Sequence, residues 1–196
     1  MPRTQEQNEQ IRESRRKQIM ETAMEMFARE GYGHVSISSL AKQAGISKGL
    51  MYNYFESKEQ LLQEIIHAAI QEIMQYFDPN HDGVLTREEF ALFIRKTFQL
   101  MHQDKEHWLK FFGLVIQPNV MQYLQNSAMV EGMDTFFEMF YLYFKQQGFE
   151  DPELEMLNLA VIIEGLGMVT IFYQKITEIP DLLLEKLEDR IIKMYT

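Results

Sequence analysis

Apolar positions recur at spacings of three and four along most of this 196-residue chain, the period of a helix that buries one stripe. The clearest run is Leu61, Leu62, Ile65, Ile66, Ala69, Ile70, Ile73, Met74 and Phe77. It predicts a helix that starts under the Ser57 hydroxyl and ends at Asp78-Pro79. Further amphipathic stretches predict helices over 87–102, 105–117, 127–147, 152–175 and 180–195. Their ends are punctuated. Thr86 and Glu89 make a capping box, Asp151-Pro152 and Pro180-Asp181 are helix starts, Gly148 is a stop, and Pro118 breaks the chain between two helices. No alternating strand pattern, internal repeat or low-complexity tract accompanies them. The expected class is all-α, with about nine helices by this periodicity.

Ahead of the long helix the spacing tightens into two short helices joined by a turn, from Ser36 to Lys58 (SISSLAKQAGISKGLMYNYFESK). Ser36 and Ser47 are hydroxyl N-caps, and Gly45 stands where a helix must stop in a left-handed conformation. Leu40, Ala41 and Ala44 share one face of the first helix, and Met51 and Phe55, four apart, dock the second against it. The outward face of the second helix carries Lys48, Gly49, Leu50, Tyr52, Asn53 and Tyr54. A cation, an amide, phenols and bare backbone do not make a core face.

This segment, with Ile19, Ala23, Met26, Phe27 and Gly31-Tyr32 before it and Lys58 to Leu62 after it, resembles the DNA-binding domain of the TetR family of bacterial regulators. The resemblance implies an N-terminal three-helix helix-turn-helix domain over 1–60. It implies a helical ligand-binding and dimerisation domain over 61–196. It places Lys48 and Gly49 at the start of the recognition helix beside base edges, and puts Tyr52, Tyr54 and Lys58 on phosphate or sugar, with Asn53 on the same face. Ser36 and Ser47 would present helix N-termini to the phosphate backbone. Leu50 departs from the small or polar residue usual at its place and favours a thymine methyl.

The net charge of −10 argues against DNA until it is divided. Residues 1–60 hold nine Lys and Arg against eight Asp and Glu, and the remainder ten against twenty-one. Arg12, Arg15, Arg16 and Lys17 before the first long helix, with Lys42, Lys48 and Lys58, can meet phosphates locally while the acidic body is held away. Cysteine is absent, which removes disulfides, thiolate zinc sites and thiol nucleophiles and agrees with a reducing compartment. The first ten residues lack the apolar core of a secretory signal, so a cytoplasmic location is expected.

The stretch from Leu154 to Phe172 is apolar on more faces than one core can use. Glu155, Asn158 and Glu164 interrupt it, which disfavours a membrane span, and Gly165 and Gly167 would let another helix approach. The resemblance implies a homodimer through the last two helices. A second region, rich in Met and aromatic residues, includes Trp108, Phe112, Met133, Phe137, Phe140 and Tyr141. Most such residues fill a core, but those that surround the 127–147 helix also suit the wall of a pocket for a small apolar inducer.

Asp78-Pro-Asn80-His-Asp82-Gly83-Val84-Leu85-Thr86-Arg-Glu-Glu89 resembles the calcium loop of the EF-hand family. Oxygen ligands fall at positions one, three and five, glycine at six, the Val84 carbonyl at seven and the Glu89 carboxylate at twelve. A turn with a capped helix after it accounts for much of the same sequence without any ion. Calcium is thus a candidate ligand, and no cofactor is required.

Catalytic signatures are missing. The five histidines are scattered, and no zinc helix, phosphate-binding glycine loop or nucleophile elbow occurs. The expected function is that of a sequence-specific, ligand-responsive dimeric repressor on a double-stranded DNA operator, not an enzyme. The alternative is a calcium-binding helical sensor acting through protein partners.

Overall fold

The computed structural model describes residues 4–125, 134–173 and 180–196, and of the last turns before Tyr173 only part of the side chains. Ten α-helices run in chain order through them: α1 (Gln5–Glu30), α2 (Ile37–Gln43), α3 (Lys48–Tyr52), α4 (Lys58–Met74), α5 (Arg87–Gln103), α6 (Lys105–Val115), α7 (Pro118–Gln125), α8 (Asp134–Gln146), α9 (Pro152–Tyr173) and α10 (Asp181–Tyr195). No strand occurs among the described residues.

Three boundaries differ from the sequence reading, the first being the end of α4, which stops at Met74 with turns over 75–77 before Asp78. Helix α1 starts at Gln5, so Arg12, Arg15, Arg16 and Lys17 lie inside it and not ahead of it. The cause is a second capping box, in which Thr4 Oγ1 accepts from the Gln7 amide and the Gln7 side chain accepts from Thr4 N–H. Pro118 opens α7 instead of merely separating helices. At a first helical position its missing N–H leaves no bond unmade, and Val120 two residues on is fully buried. The extra helix comes from this turn.

The chain divides into two compact units, Met1–Ala69 with Gly113–Tyr123, and Ile70–Phe112 with Leu124–Thr196. In the first, α1 packs on α2 and α2 on α3. Ile19, Ala23, Phe27, Leu40, Met51, Phe55, Leu61 and Leu62 lie within it, each at most 1% exposed. Burying a large apolar side chain contributes about 1.5–3 kcal/mol before the entropy cost, so these positions hold the short helices that local propensity alone would not.

In the second unit α10 packs on α5, and α8 on α9. Its centre is aromatic. Phe90 stacks on Tyr143 with ring centres 4.9 Å apart, Phe77 and Phe140 lie 4.6 Å apart, and the Tyr143 hydroxyl donates to the Tyr195 carbonyl at 2.7 Å. Burial pushes the Tyr143 and Tyr195 phenols up to about 12.

Candidate nucleic-acid interface

The α2–α3 turn is built as its residues dictate. Ser36 Oγ accepts from Ser39 N–H and Ser47 Oγ from Leu50 N–H, both at 3.1 Å, so each hydroxyl satisfies one of the free donors at a helix start. Gly45 has φ of +66°, the left-handed conformation that a side chain would strain. Met51 and Phe55 are fully buried, which fixes the rotation of α3. Ser36, Ser47, Lys48, Gly49, Leu50, Tyr52 and Asn53 are left exposed, while Tyr54 and Lys58 are half-buried.

An open cleft joins the starts of α2 and α4 to the side of α3, and Ser36, Lys48, Tyr52, Ser57 and Lys58 line it together with Glu56 and Glu59. Four of the nine candidate residues thus share one surface. The Lys48 ammonium lies 6.0 Å from the Tyr52 ring centre. The Lys58 ammonium is turned inward. It donates to the carbonyls of Tyr32 and Val35 at 2.9 and 3.1 Å and sits over the Tyr32 ring.

Two of the cations expected at phosphate are also bound within the head. Arg15 donates to the Ala44 carbonyl at 3.3 Å and to the Gln18 side chain. Arg16 lies over the Phe55 ring at 4.6 Å, donates to the Tyr54 carbonyl at 3.0 Å and pairs with Glu64. It ties α1 to the turn that follows α3 and to α4. Gln117 belongs to the head as well, bonding to backbone 85 and 90 residues earlier. No local pattern in the sequence signals a contact of that separation.

The loop between α4 and α5 is ordered by its own side-chain oxygens. Asp78 accepts from the amides of Asp82 and Gly83 at 3.2 and 3.1 Å, Asn80 from Asp82 N–H at 3.1 Å, and Asp82 from Val84 N–H at 2.8 Å. Gly83 and His81 take φ of +76° and +57°. The fifth candidate ligand, Glu89, is directed elsewhere, with Oε2 accepting from Thr86 N–H at 2.9 Å and Thr86 Oγ1 at 2.8 Å as the cap of α5. Among the described residues no group of three or more acidic, His or Cys side chains is gathered as a metal site.

The pocket candidates separate into two ring clusters. Trp108 contacts Phe111 and Phe112, whereas Phe137 and Phe140 meet through Phe136. Tyr141 carries the Lys145 ammonium at 5.7 Å, and Met133 lies outside the described residues. A separate cavity of about 220 Å³ lies among Phe98, Met101, His102, Lys105, Leu166, Asp181 and Leu184, and none of the candidates is in its wall.

A capped, shallow helix whose polar face stands clear of a three-helix core defines a helix-turn-helix head. Residues 19–65 match the family model for bacterial regulatory proteins of the tetR family. Residues 69–97 match the EF hand domain model. The chain is 33% identical over 97 residues to the HTH-type transcriptional regulator LuxR of Vibrio harveyi, covering 49% of this chain and 47% of that one. It is 32% identical over 88 residues to the fatty acid metabolism regulator protein of Bacillus subtilis strain 168, covering 44% and 45%. These matches span about half the length of those curated relatives. The fold matches the transcriptional regulator FadR from Bacillus subtilis in complex with stearoyl-CoA, with a TM-score of 0.67, 20% identity and 91% and 96% of the two chains covered. No helix among the described residues is long and apolar enough to cross a membrane.

Proposed function

We propose that this chain is a dimeric, ligand-responsive repressor that reads a near-palindromic DNA operator with α3 of each subunit. One observation carries the reading. The exposed Lys48, Gly49, Leu50, Tyr52 and Asn53 occupy the free face of a helix that Met51 and Phe55 lock from behind. Lys48 and Leu50 meet base edges, Tyr52 and Tyr54 the phosphate-sugar chain, and the capped helix starts at Ser36 and Ser47 face phosphates. Lys58 supports this surface from beneath by fixing the α1–α2 loop, with its remaining N–H left for a phosphate. The protein acts in the cytoplasm, where the operator is, and catalyses no reaction.

Two heads are needed, because one presents few free cations. The dimer forms through α9 and α10, whose Leu154, Leu157, Val161, Val169, Leu182 and Leu183 are all more than 40% exposed. A Cβ added at Gly165 would meet nothing within 4 Å, so that face of α9 has room for a partner helix. The effector is a small apolar molecule held in the second unit, where the cavity floored by Phe98, Met101, Leu166 and Leu184 suits it. It acts only to the extent that it binds the form off DNA more tightly.

Calcium at 78–89 is a second reading, favoured by the donor chemistry. Asp78, Asn80, Asp82, the Val84 carbonyl and Glu89 are all hard oxygen donors at the loop positions calcium uses, and the turn at Gly83 is already made. Such an ion would supply fixed positive charge that crosslinks the end of α4 to the start of α5.

Selection of bound sequences from a random duplex pool, with calcium and with a chelator, tests both. A palindrome enriched in both arms supports the repressor. Enrichment in one arm alone makes the loop a switch. Enrichment in neither, with calcium-dependent stability retained, favours the partner-binding sensor.

A further inference from the structure

We infer that Gln117, at the turn between α6 and α7, is a positioning residue for the DNA-reading head. The inference rests on the DNA-binding reading above. The Gln117 side chain bonds to the backbone at and just beyond the end of α1. Its Oε1 accepts from Tyr32 N–H at 2.8 Å, and its Nε2 donates to the Phe27 carbonyl at 2.9 Å and the Gly113 carbonyl at 3.2 Å. A primary amide can satisfy a donor and two acceptors at once, which neither an apolar side chain nor a carboxylate can do.

What it holds is the hub of the head. Tyr32 is 7% exposed, with its ring edge-on to Phe27 and its hydroxyl donating to Glu59 at 3.3 Å. The Tyr32 carbonyl takes the Lys58 ammonium, which also holds the carbonyl of Val35. Val35 precedes Ser36, the cap of α2. From Gln117, consecutive hydrogen bonds therefore reach the first residue of α4 and the start of α2, the two elements flanking α3 in the cleft. The approach is close elsewhere too. A Cβ placed on Gly33 would lie 3.1 Å from Asn119 Nδ2.

The segment that delivers Gln117 is the end of α6, a helix that begins at Lys105 among residues of the second unit. The geometry of the cleft therefore depends on a side chain that the helix-turn-helix segment itself does not contain.

Full-length Gln117→Met and Gln117→Glu test the assignment by hydrogen exchange and by binding to the selected operator and to a random duplex at one salt concentration. Met keeps the bulk and loses every bond, and Glu keeps the acceptor but loses the donors. Both variants should speed exchange over residues 31–36 while leaving α8 and α10 unchanged. Both should weaken operator binding about tenfold, the effect of one or two hydrogen bonds lost from one state. Random-duplex binding should stay within about twofold, because phosphate attraction is unaltered. Variants that match wild type in both readouts overturn the inference. Faster exchange with unchanged operator binding also overturns it, leaving Gln117 a structural residue only. A wild-type protein that selects no sequence removes the DNA-binding reading itself, and this is seen before any variant is compared.

Discussion

The Lys58 ammonium lies 2.9 Å from the Tyr32 carbonyl oxygen and 4.3 Å from the centre of the Tyr32 ring. A residue at the head of α4, placed by sequence resemblance on the phosphate side, thus closes the loop between α1 and α2 from within. Lys58→Met should lower the unfolding free energy by about 1–2 kcal/mol, the worth of charge-assisted hydrogen bonds at a half-buried site. Lys48→Met should leave stability within about 0.5 kcal/mol, because Lys48 is exposed and no hydrogen bond ties its side chain to another of the described residues. The salt dependence of DNA binding separates them further, with Lys48→Met reducing the slope by about one charge and Lys58→Met by less. Equal slopes for the two variants would contradict this division.

Arg16 of α1 holds the connection between α3 and α4 through the Tyr54 carbonyl and the Phe55 ring, and α4 itself through Glu64. A lysine cannot reproduce a planar fork that stacks on a ring and bonds on two sides. Arg16→Lys should therefore cost about 1–2 kcal/mol in urea unfolding, nearly as much as Arg16→Met. A double-mutant cycle with Glu64→Gln should return a coupling of at least about 0.5 kcal/mol. Additive losses would mean that the ion pair adds nothing.

The helices and caps were legible because their signals are local. Ser36, Ser47, Ser57 and Thr86 each cap the helix expected of them, and Gly45 and Gly148 take the positive φ their positions called for. The start of α1 carried the same kind of signal in Thr4 and Gln7, but polar residues on all sides of its first turns hid the helix from a search for apolar periodicity. The directions of Lys58, Arg16 and Gln117 were not legible. Each is set by a backbone carbonyl or amide that the fold brings near from 23 to 90 residues away, and a backbone group leaves no mark in a pattern of side chains. For the same reason the loop at 78–89 reads correctly as a string of oxygen donors, while the direction of Glu89 depends on whether the α5 cap or an ion holds it.

Stability at high pH should respond to the Tyr143–Tyr195 pair. Burial holds both phenols protonated, with folded values near 12 against the ordinary 10.0. A raised folded value gives a contribution that is complete below pH 10 and is lost as pH rises through about 12. Urea midpoints taken across that interval should fall. In Tyr143→Phe, which loses only the 2.7 Å bond to the Tyr195 carbonyl, stability at pH 7 should drop by about 1 kcal/mol and the alkaline fall should be shallower. An unchanged alkaline profile would assign the loss to other groups.

Calcium should raise the unfolding midpoint through the 78–89 loop. At a free concentration of about 100 times its dissociation constant, one site that exists only in the folded state adds about 2.7 kcal/mol. Glu89→Gln should abolish this shift yet keep most of the cap, since an amide oxygen still accepts from Thr86. Thr86→Ala removes the cap hydroxyl and should cost about 1 kcal/mol whether or not calcium is present. A wild-type midpoint indifferent to calcium and chelator would leave the loop as a capped turn.

The exposed leucines of α9 and α10 decide the assembly. Leu157 and Val161 are each 60% exposed, four residues apart, and therefore on one face of α9. In a monomer, Leu157→Glu would place a carboxylate in water and change stability by less than about 0.5 kcal/mol. In a dimer through this face it would bury a charge with no partner, at several kcal/mol for each copy. Sedimentation at micromolar concentration should therefore show wild type as a dimer and Leu157→Glu as a folded monomer with an unaltered helical spectrum. Operator binding should weaken together with assembly, because a single head presents half the phosphate contacts. A Leu157→Glu protein that stays dimeric would move the interface off this face of α9, and a wild-type monomer would remove the two-headed mode of DNA reading.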